Sequence, residues 1–147
     1  MPTDERHRDA GRPLPLTEPR GNPDAGLLID ENAIRRLVDT FYDTVKRDDV
    51  LGPIFAAHVG DWSHHLPKMY DFWSTVVLRT GRYAGRPLEA HQRISGLRQD
   101  HFNRWIELWQ QTVTRVIPPC GQEAFITPAR RMAASMSAVL LRDGDPL

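Results

Sequence analysis

Cysteine is almost missing. Cys120 stands alone among 147 residues, which excludes an intrachain disulfide and fits a reducing compartment. Net charge is missing as well, because 19 Lys and Arg balance 19 Asp and Glu. That balance removes the electrostatic footprint of a nucleic-acid binder and the polybasic patch of a membrane-surface protein. No apolar run approaches the roughly 20 residues of a transmembrane helix. The stretch "MPTDERHRDAGRPL" has no apolar centre and does not read as a secretory signal. No segment alternates with period two for long, and no internal repeat occurs. These absences leave a cytoplasmic, all-α protein as the expectation.

What remains is a helical domain with an unusual preface. Residues 1–26 carry Pro2, Pro13, Pro15, Pro19 and Pro23 among charged residues and glycine, too little apolar surface to offset the entropy of ordering. They read as a disordered tail, and residues 27–147 as one domain, large enough to bury a core. Its first helix is "IDENAIRRLVDTFYDTVKRDD", with Ile34, Leu37, Val38, Phe41, Tyr42 and Val45 at helical spacing and Asp30 as N-cap. "LGPIFAAHVG" reads as a single helical turn or a loop. A second apolar stripe runs through Trp62, Leu66, Met69, Phe72, Trp73 and Val76. "GRYAGRPLEAHQRISG" is a loop leading to a short helix, with Pro87 in the first turn, where a missing N–H costs nothing. Phe102, Trp105, Ile106, Trp109 and Val113 line one face of the next helix, which Pro118 and Pro119 stop. The last helix is expected to be capped by Thr127, to start at Pro128 and to end just before Gly144.

Two neighbouring histidines sit on the second stripe. Residues three and four apart share a helix face. His65 is four before Met69 and seven before Phe72, so it points inward; His64 is in phase with Lys68 and Asp71 and points to water. Pro67 complicates the local backbone, since a proline in a helix interior costs roughly 3 kcal/mol. It predicts a helix starting near Ser63 or His64, or a kink at the histidines, and a backbone less rigid there than beyond. His91 likewise falls between Leu88 and Ile94 at spacing three. A lone histidine on an apolar face is more often a satisfied core residue than a ligand. Tyr42 and Trp105, taken singly, read as core, and Arg79, Arg82, Arg86 and Arg93 as a solvated basic face.

In combination and order, however, these residues resemble a truncated haemoglobin of the third group. The resemblance covers roughly residues 30 to 142 and is carried by "FYDTV", "LGPIF", "HLPKMYDFWS", "GRYAGRPLEAH" and "FNRWIELW". Its most specific piece is Y-x-G-x-P-L-x-x-H from Tyr83 to His91, and the chain lacks the Gly-Gly doublets usual near the haem in the other groups. The resemblance implies a two-on-two helical sandwich enclosing haem b. It implies His91 as proximal iron ligand and Tyr42, His65 and Trp105 as the distal set. Lys68, Met69, Phe72, Trp73, Tyr83 and Arg93 would contact the cofactor or its propionates, with Arg79 and Arg82 as further propionate candidates. A neutral imidazole is the usual proximal ligand, steadied by its second nitrogen. A phenol, an imidazole and an indole all donate hydrogen bonds to a bound diatomic such as O2 or NO.

Several donors predict slow release, which suits nitric oxide or peroxide chemistry better than bulk oxygen transport. Such turnover needs electrons, and the chain has no G-x-G-x-x-G fingerprint, so a separate reductase is implied. The alternative is a haem-based sensor or store without turnover, distinguished by steady-state NO or peroxide consumption. A non-haem metal site at His58, His64 and His65 is disfavoured, because adjacent histidines face apart and no H-x-x-x-H occurs. A plain helical interaction module would be colourless.

Overall fold

Asp30 starts the first helix as its sequence position requires. Its backbone is extended and its Oδ1 accepts a hydrogen bond of 2.8 Å from the Ala33 amide, one of the donors a helix start leaves free. Helix α1 (Glu31–Arg47) then buries Ala33, Ile34, Leu37, Val38, Phe41, Tyr42 and Val45 on one face, the spacing read from the sequence. The computed structural model describes residues 29–144. The tail proposed for residues 1–26 lies outside them, as does the start of the domain at 27.

"LGPIFAAHVG" forms α2 (Gly52–His58), longer than the single turn expected. Pro53 stands in its first turn, and Asp48 holds the approach by accepting from the Val50 and Leu51 amides. Gly52 suits this close approach, since a Cβ would lie a tight 3.0 Å from the Lys46 carbonyl oxygen. Helix α3 (Trp62–Leu78) begins one to two residues earlier than Pro67 suggested, because Asp61 caps it through the Ser63 amide at 3.0 Å. It stays α-helical through Pro67. It closes on Arg79, a non-glycine residue at φ 61, in the left-handed region that ends many helices.

Helix α4 (Pro87–Gln92) starts at Pro87 as expected and buries none of its residues. Helix α5 (Gln99–Val116) is amphipathic, with Phe102, Leu108, Trp109, Thr112 and Val113 buried, whereas Trp105 and Ile106 are only partly covered. Pro118 and Pro119 end it and Pro119–Gly121 forms a 3₁₀ turn.

Helix α6 (Glu123–Gly144) corrects the sequence reading at both ends. It starts five residues before Pro128, and Gly144 lies within it. Thr127 is no cap; its hydroxyl donates to Glu123 Oε1 at 2.8 Å. Packing overrides the proline. Phe125 and Ala129 are completely buried, so the early turn is held by apolar burial worth more than the lost backbone bond.

Helix α1 packs on α3 and α5, α5 packs on α6, and α3 returns to α6. The pair α1/α3 thus lies on the pair α5/α6. The core between them is Ile34, Leu37, Val38, Phe41, Val45, Trp73, Trp109, Val113, Ile117 and Phe125, all 3% exposed or less. No helix among the described residues is long and apolar enough to cross a membrane.

Candidate functional site

Four rings meet where α1, α2 and α3 converge. Tyr42 comes from α1, Phe55 from α2, Trp62 and His65 from α3. The Tyr42 ring meets His65 edge-on at 5.4 Å, Trp62 at 5.4 Å and Phe55 at 5.8 Å between centroids. Trp62 also meets His65 edge-on at 5.5 Å, and the Lys46 ammonium lies 4.5 Å from the Trp62 ring centre. Edge-to-face packing of this kind fixes ring orientation as well as burying area.

The polar atoms of this cluster are poorly served by the protein. His65 Nε2 is buried and has no hydrogen-bond partner among the described residues. A buried unpaired donor or acceptor normally costs about 1–3 kcal/mol, so each one calls for an explanation. Burial chiefly, then the nearby positive charges of Lys68 and His91, hold the His65 pKa below its ordinary value, so the ring is neutral at pH 7. Burial also pushes the Tyr42 phenol well above its usual range, which keeps its proton in place as a donor. As the helix phase predicted, His64 is exposed and His65 half-buried.

His91 faces this cluster from α4 closely enough for its charge to be felt at His65. Its Nδ1 lies 2.7 Å from the carbonyl of Pro87, one turn back. A carbonyl can only accept, so Nδ1 carries a proton, and in the neutral form of the ring Nε2 keeps a free lone pair. That is the state in which imidazole binds a metal. The proline at the first position of α4 thus has two uses: it starts a six-residue helix, and its oxygen orients the ring four residues on.

Trp105 stands one ring away from the cluster. It meets Phe41 edge-on at 6.0 Å, and Phe41 in turn meets Tyr42 at 4.9 Å. It also lies parallel to Trp109, 6.1 Å away. Phe72 packs between Trp73 at 5.3 Å and Tyr83 at 5.1 Å, so three of the predicted contacts form one chain of rings. Met69 and Phe72 are half-buried against the core, Lys68 and Arg93 are exposed, and Trp73 is fully within the core.

The basic face expected from Arg79, Arg82, Arg86 and Arg93 is divided up. Arg82 donates to both carboxylate oxygens of Glu31 at 3.0 and 2.8 Å, to Asp71 at 3.1 Å and to Ser74 Oγ at 3.0 Å. It therefore ties the start of α1 to α3 and to the loop before α4, and is committed away from any propionate. Arg86 pairs with Glu89. Sequence reasoning missed the Arg82 tie, because its partner is 51 residues away. It also missed that Phe55 joins the ring cluster, although a helix of more than one turn there would have placed it inward. Among the described residues, no three His, Cys, Asp or Glu side chains are grouped to hold a metal ion. His58, His64 and His65 accordingly do not form the non-haem site weighed above.

This geometry matches known proteins. The family described as bacterial-like globin matches residues 28–138. Group 3 truncated hemoglobin ctb of Campylobacter jejuni is 28% identical over 120 residues, covering 79% of this chain and 94% of the relative. The crystal structure of a group III truncated hemoglobin from Campylobacter jejuni superposes with a TM-score of 0.73 at 28% identity, over 76% of this chain and 91% of that one. The chain belongs to the bacterial-like globin family and has the truncated-globin fold of the structure it superposes on: a haem protein that binds diatomic ligands.

Proposed function

We propose that this globin holds haem b between His91 on the proximal side and Tyr42, His65 and Trp105 on the distal side, in the cytoplasm. Its work is nitric oxide or peroxide chemistry rather than oxygen transport. The observation that carries the reading is the buried, unpartnered Nε2 of His65 against the Tyr42 ring. A buried polar side chain without a partner among the described residues, beside a phenol that keeps its proton, suits a small polar ligand that supplies the missing hydrogen bond.

The residues present fit the group. His91 Nε2 has its lone pair free, because Nδ1 is engaged by Pro87. Leu66, Met69, Phe72 and Val76 give α3 a half-covered apolar face suited to a flat apolar macrocycle. Haem, when bound, supplies an iron that takes up a diatomic ligand and changes oxidation state. His91 would hold it in place, with the Pro87 carbonyl fixing the ring's tautomer. Tyr42 keeps its proton at pH 7 and donates its O–H to the outer atom of the ligand; neutral His65 donates from Nε2, and Trp105 from its indole N–H. Phe55, Trp62 and Phe41 exclude water, which strengthens each of these bonds. Lys68 and Arg93, exposed at the rim, suit the propionates. Electrons for turnover come from a separate reductase.

The visible spectrum of the purified protein tests the reading. The wild type takes up haem and shows a Soret band, and His91→Ala does not form that complex. A folded wild type that binds no haem would falsify the proposal. Steady-state consumption of NO or peroxide with a reductase then separates turnover from simple binding.

A further inference from the structure

Three of the four tryptophans are stacked. Trp105 and Trp109 lie one turn apart on α5 with rings parallel to 4° and centroids 6.1 Å apart. Trp109 continues onto Trp73 of α3 at 4.6 Å and 17°. The outer member, Trp105, is half-buried, whereas Trp109 and Trp73 are 1% and 3% exposed. The flanking rings are phenylalanines: Phe41 edge-on to Trp109 at 5.0 Å, and Phe125 tilted on Trp73 at 5.9 Å. Indole is the most easily oxidised of the aromatic side chains and phenyl the least, so the flanks insulate the stack. Leucine or phenylalanine would fill the same core; neither would share an electron hole.

We propose that Trp105, Trp109 and Trp73 form a redox store that draws an oxidising equivalent out of the haem pocket. The inference rests on the reading above only in placing Trp105 beside the haem. Hydrogen peroxide becomes two waters by taking two electrons and two protons. With haem bound, that centre would supply both electrons. Trp105 then returns one of them and is left as an indole radical cation. Trp109 reduces Trp105, and Trp73 reduces Trp109; no bond forms or breaks in either exchange.

The surroundings keep the hole moving. Trp109 donates its N–H to the Phe125 carbonyl at 3.0 Å, a weak base that does not take the proton. The polar or charged residues fully buried in the core among the described residues are Ser74 and Thr112, and neither is a carboxylate or an imidazole that would remove it. An oxidised indole that keeps its proton remains a strong oxidant and passes the hole on. The store empties back through Trp105, the half-buried end of the stack, as a soluble one-electron donor such as ascorbate reduces the haem pocket. The remaining equivalent at the haem takes a second electron from the same donor.

The test uses the full haem-loaded protein. Ferric protein is mixed with hydrogen peroxide, frozen within milliseconds and examined by electron paramagnetic resonance, with ring-deuterated tryptophan to identify the radical. Oxidised residues are then mapped by peptide mass spectrometry. The expected signal narrows on tryptophan deuteration, with oxidation at Trp73 and Trp109. In Trp109→Phe, oxidation at Trp73 falls at least several-fold, and haem is bleached by fewer peroxide equivalents. In Trp73→Phe, a second variant should the first fold poorly, oxidation gathers at Trp109. A radical indifferent to tryptophan deuteration, or Trp73 oxidation unchanged in Trp109→Phe, overturns the store while leaving haem binding intact. A wild type with no Soret band overturns the functional reading and the store together. Circular dichroism of the haem-free protein gives a separate readout: the stacked indoles produce an exciton couplet that Trp109→Phe abolishes, and a couplet unaffected by that change counts against the stack.

Discussion

The two flanks of α1 differ sharply in how their apolar residues are covered. Toward α5 and the start of α6, Ile34, Leu37, Val38, Val45, Val113 and Phe125 are sealed by other side chains to zero exposure. Toward α3 and α4, residues of the same chemistry, Leu66, Met69, Phe72 and Val76, are only half-covered, and α4 buries nothing. The first side is stabilised by protein–protein packing. The second has its polar donors and its apolar face arranged for something other than protein. On the proposed function, one flank specifies the fold and the other accepts the cofactor.

The contrast is broken most severely by cutting into the sealed side. Trp109→Ala removes the ring that Trp73, Trp105 and Phe41 pack on, and should cost about 3–5 kcal/mol in urea unfolding of the haem-free protein. Leu66→Ala on the open side should cost less than about 1.5 kcal/mol in the same assay, because its side chain is only partly buried. A comparable loss at both positions would erase the distinction. Addition of haem should widen the Leu66→Ala deficit and leave that of Trp109→Ala nearly unchanged.

Tyr42→Phe comes next. The hydroxyl has no partner among the described protein groups, so its removal should scarcely change stability. It should speed O2 release about tenfold, the effect of one hydrogen bond of about 1.4 kcal/mol. Stopped-flow release measurements decide this, and an unchanged rate would remove Tyr42 from the donor set.

His65 offers a milder probe. Its folded pKa is depressed, so the folded state binds this proton less readily than the unfolded chain does. Above the ordinary value of 6.5 both states are neutral and His65 has no effect. As pH falls below that value, the unfolded chain takes the proton first and stability is lost, until the folded ring is protonated too. His65→Gln should flatten this acid loss in urea midpoints of the haem-free protein as pH falls below about 6.5; an equal slope in both proteins would show that other groups govern it. Arg82→Gln should have the smallest effect on the unfolding midpoint, since its partners are largely exposed and water screens the pairs. Its consequence should appear instead as faster amide exchange in the loop before α4.

Local signals were legible in the sequence wherever one element decides the outcome. Asp30, the phase of His64 and His65, and Pro87 each act within one helical turn, and the spacing of residues alone exposes them. The start of α6 was not legible, because Thr127 and Pro128 make a good local start that the burial of Phe125 overrides from another layer. Arg82 and Glu31 meet across 51 residues, and no spacing rule reaches that far. The parallel stack of Trp73 on Trp109 depends in the same way on how α3 crosses α5. Of the site, sequence pattern placed His65 and Tyr42 on inward faces, but Phe55 joined them only through the extra turn of α2.

The shortness of α4 has a kinetic consequence. Six residues are too few to hold a helix in water unaided, and none of them is buried. The segment that presents His91 is therefore the part of the domain expected to detach first while the four long helices stay assembled. With His91 as the proposed iron ligand, cofactor loading and escape are expected to proceed by opening this one short segment, without unfolding the rest of the domain. Substitutions in Pro87, Leu88 or Glu89 should accordingly alter the rate at which haem is exchanged with a scavenging apoprotein well before they alter the melting of the rest.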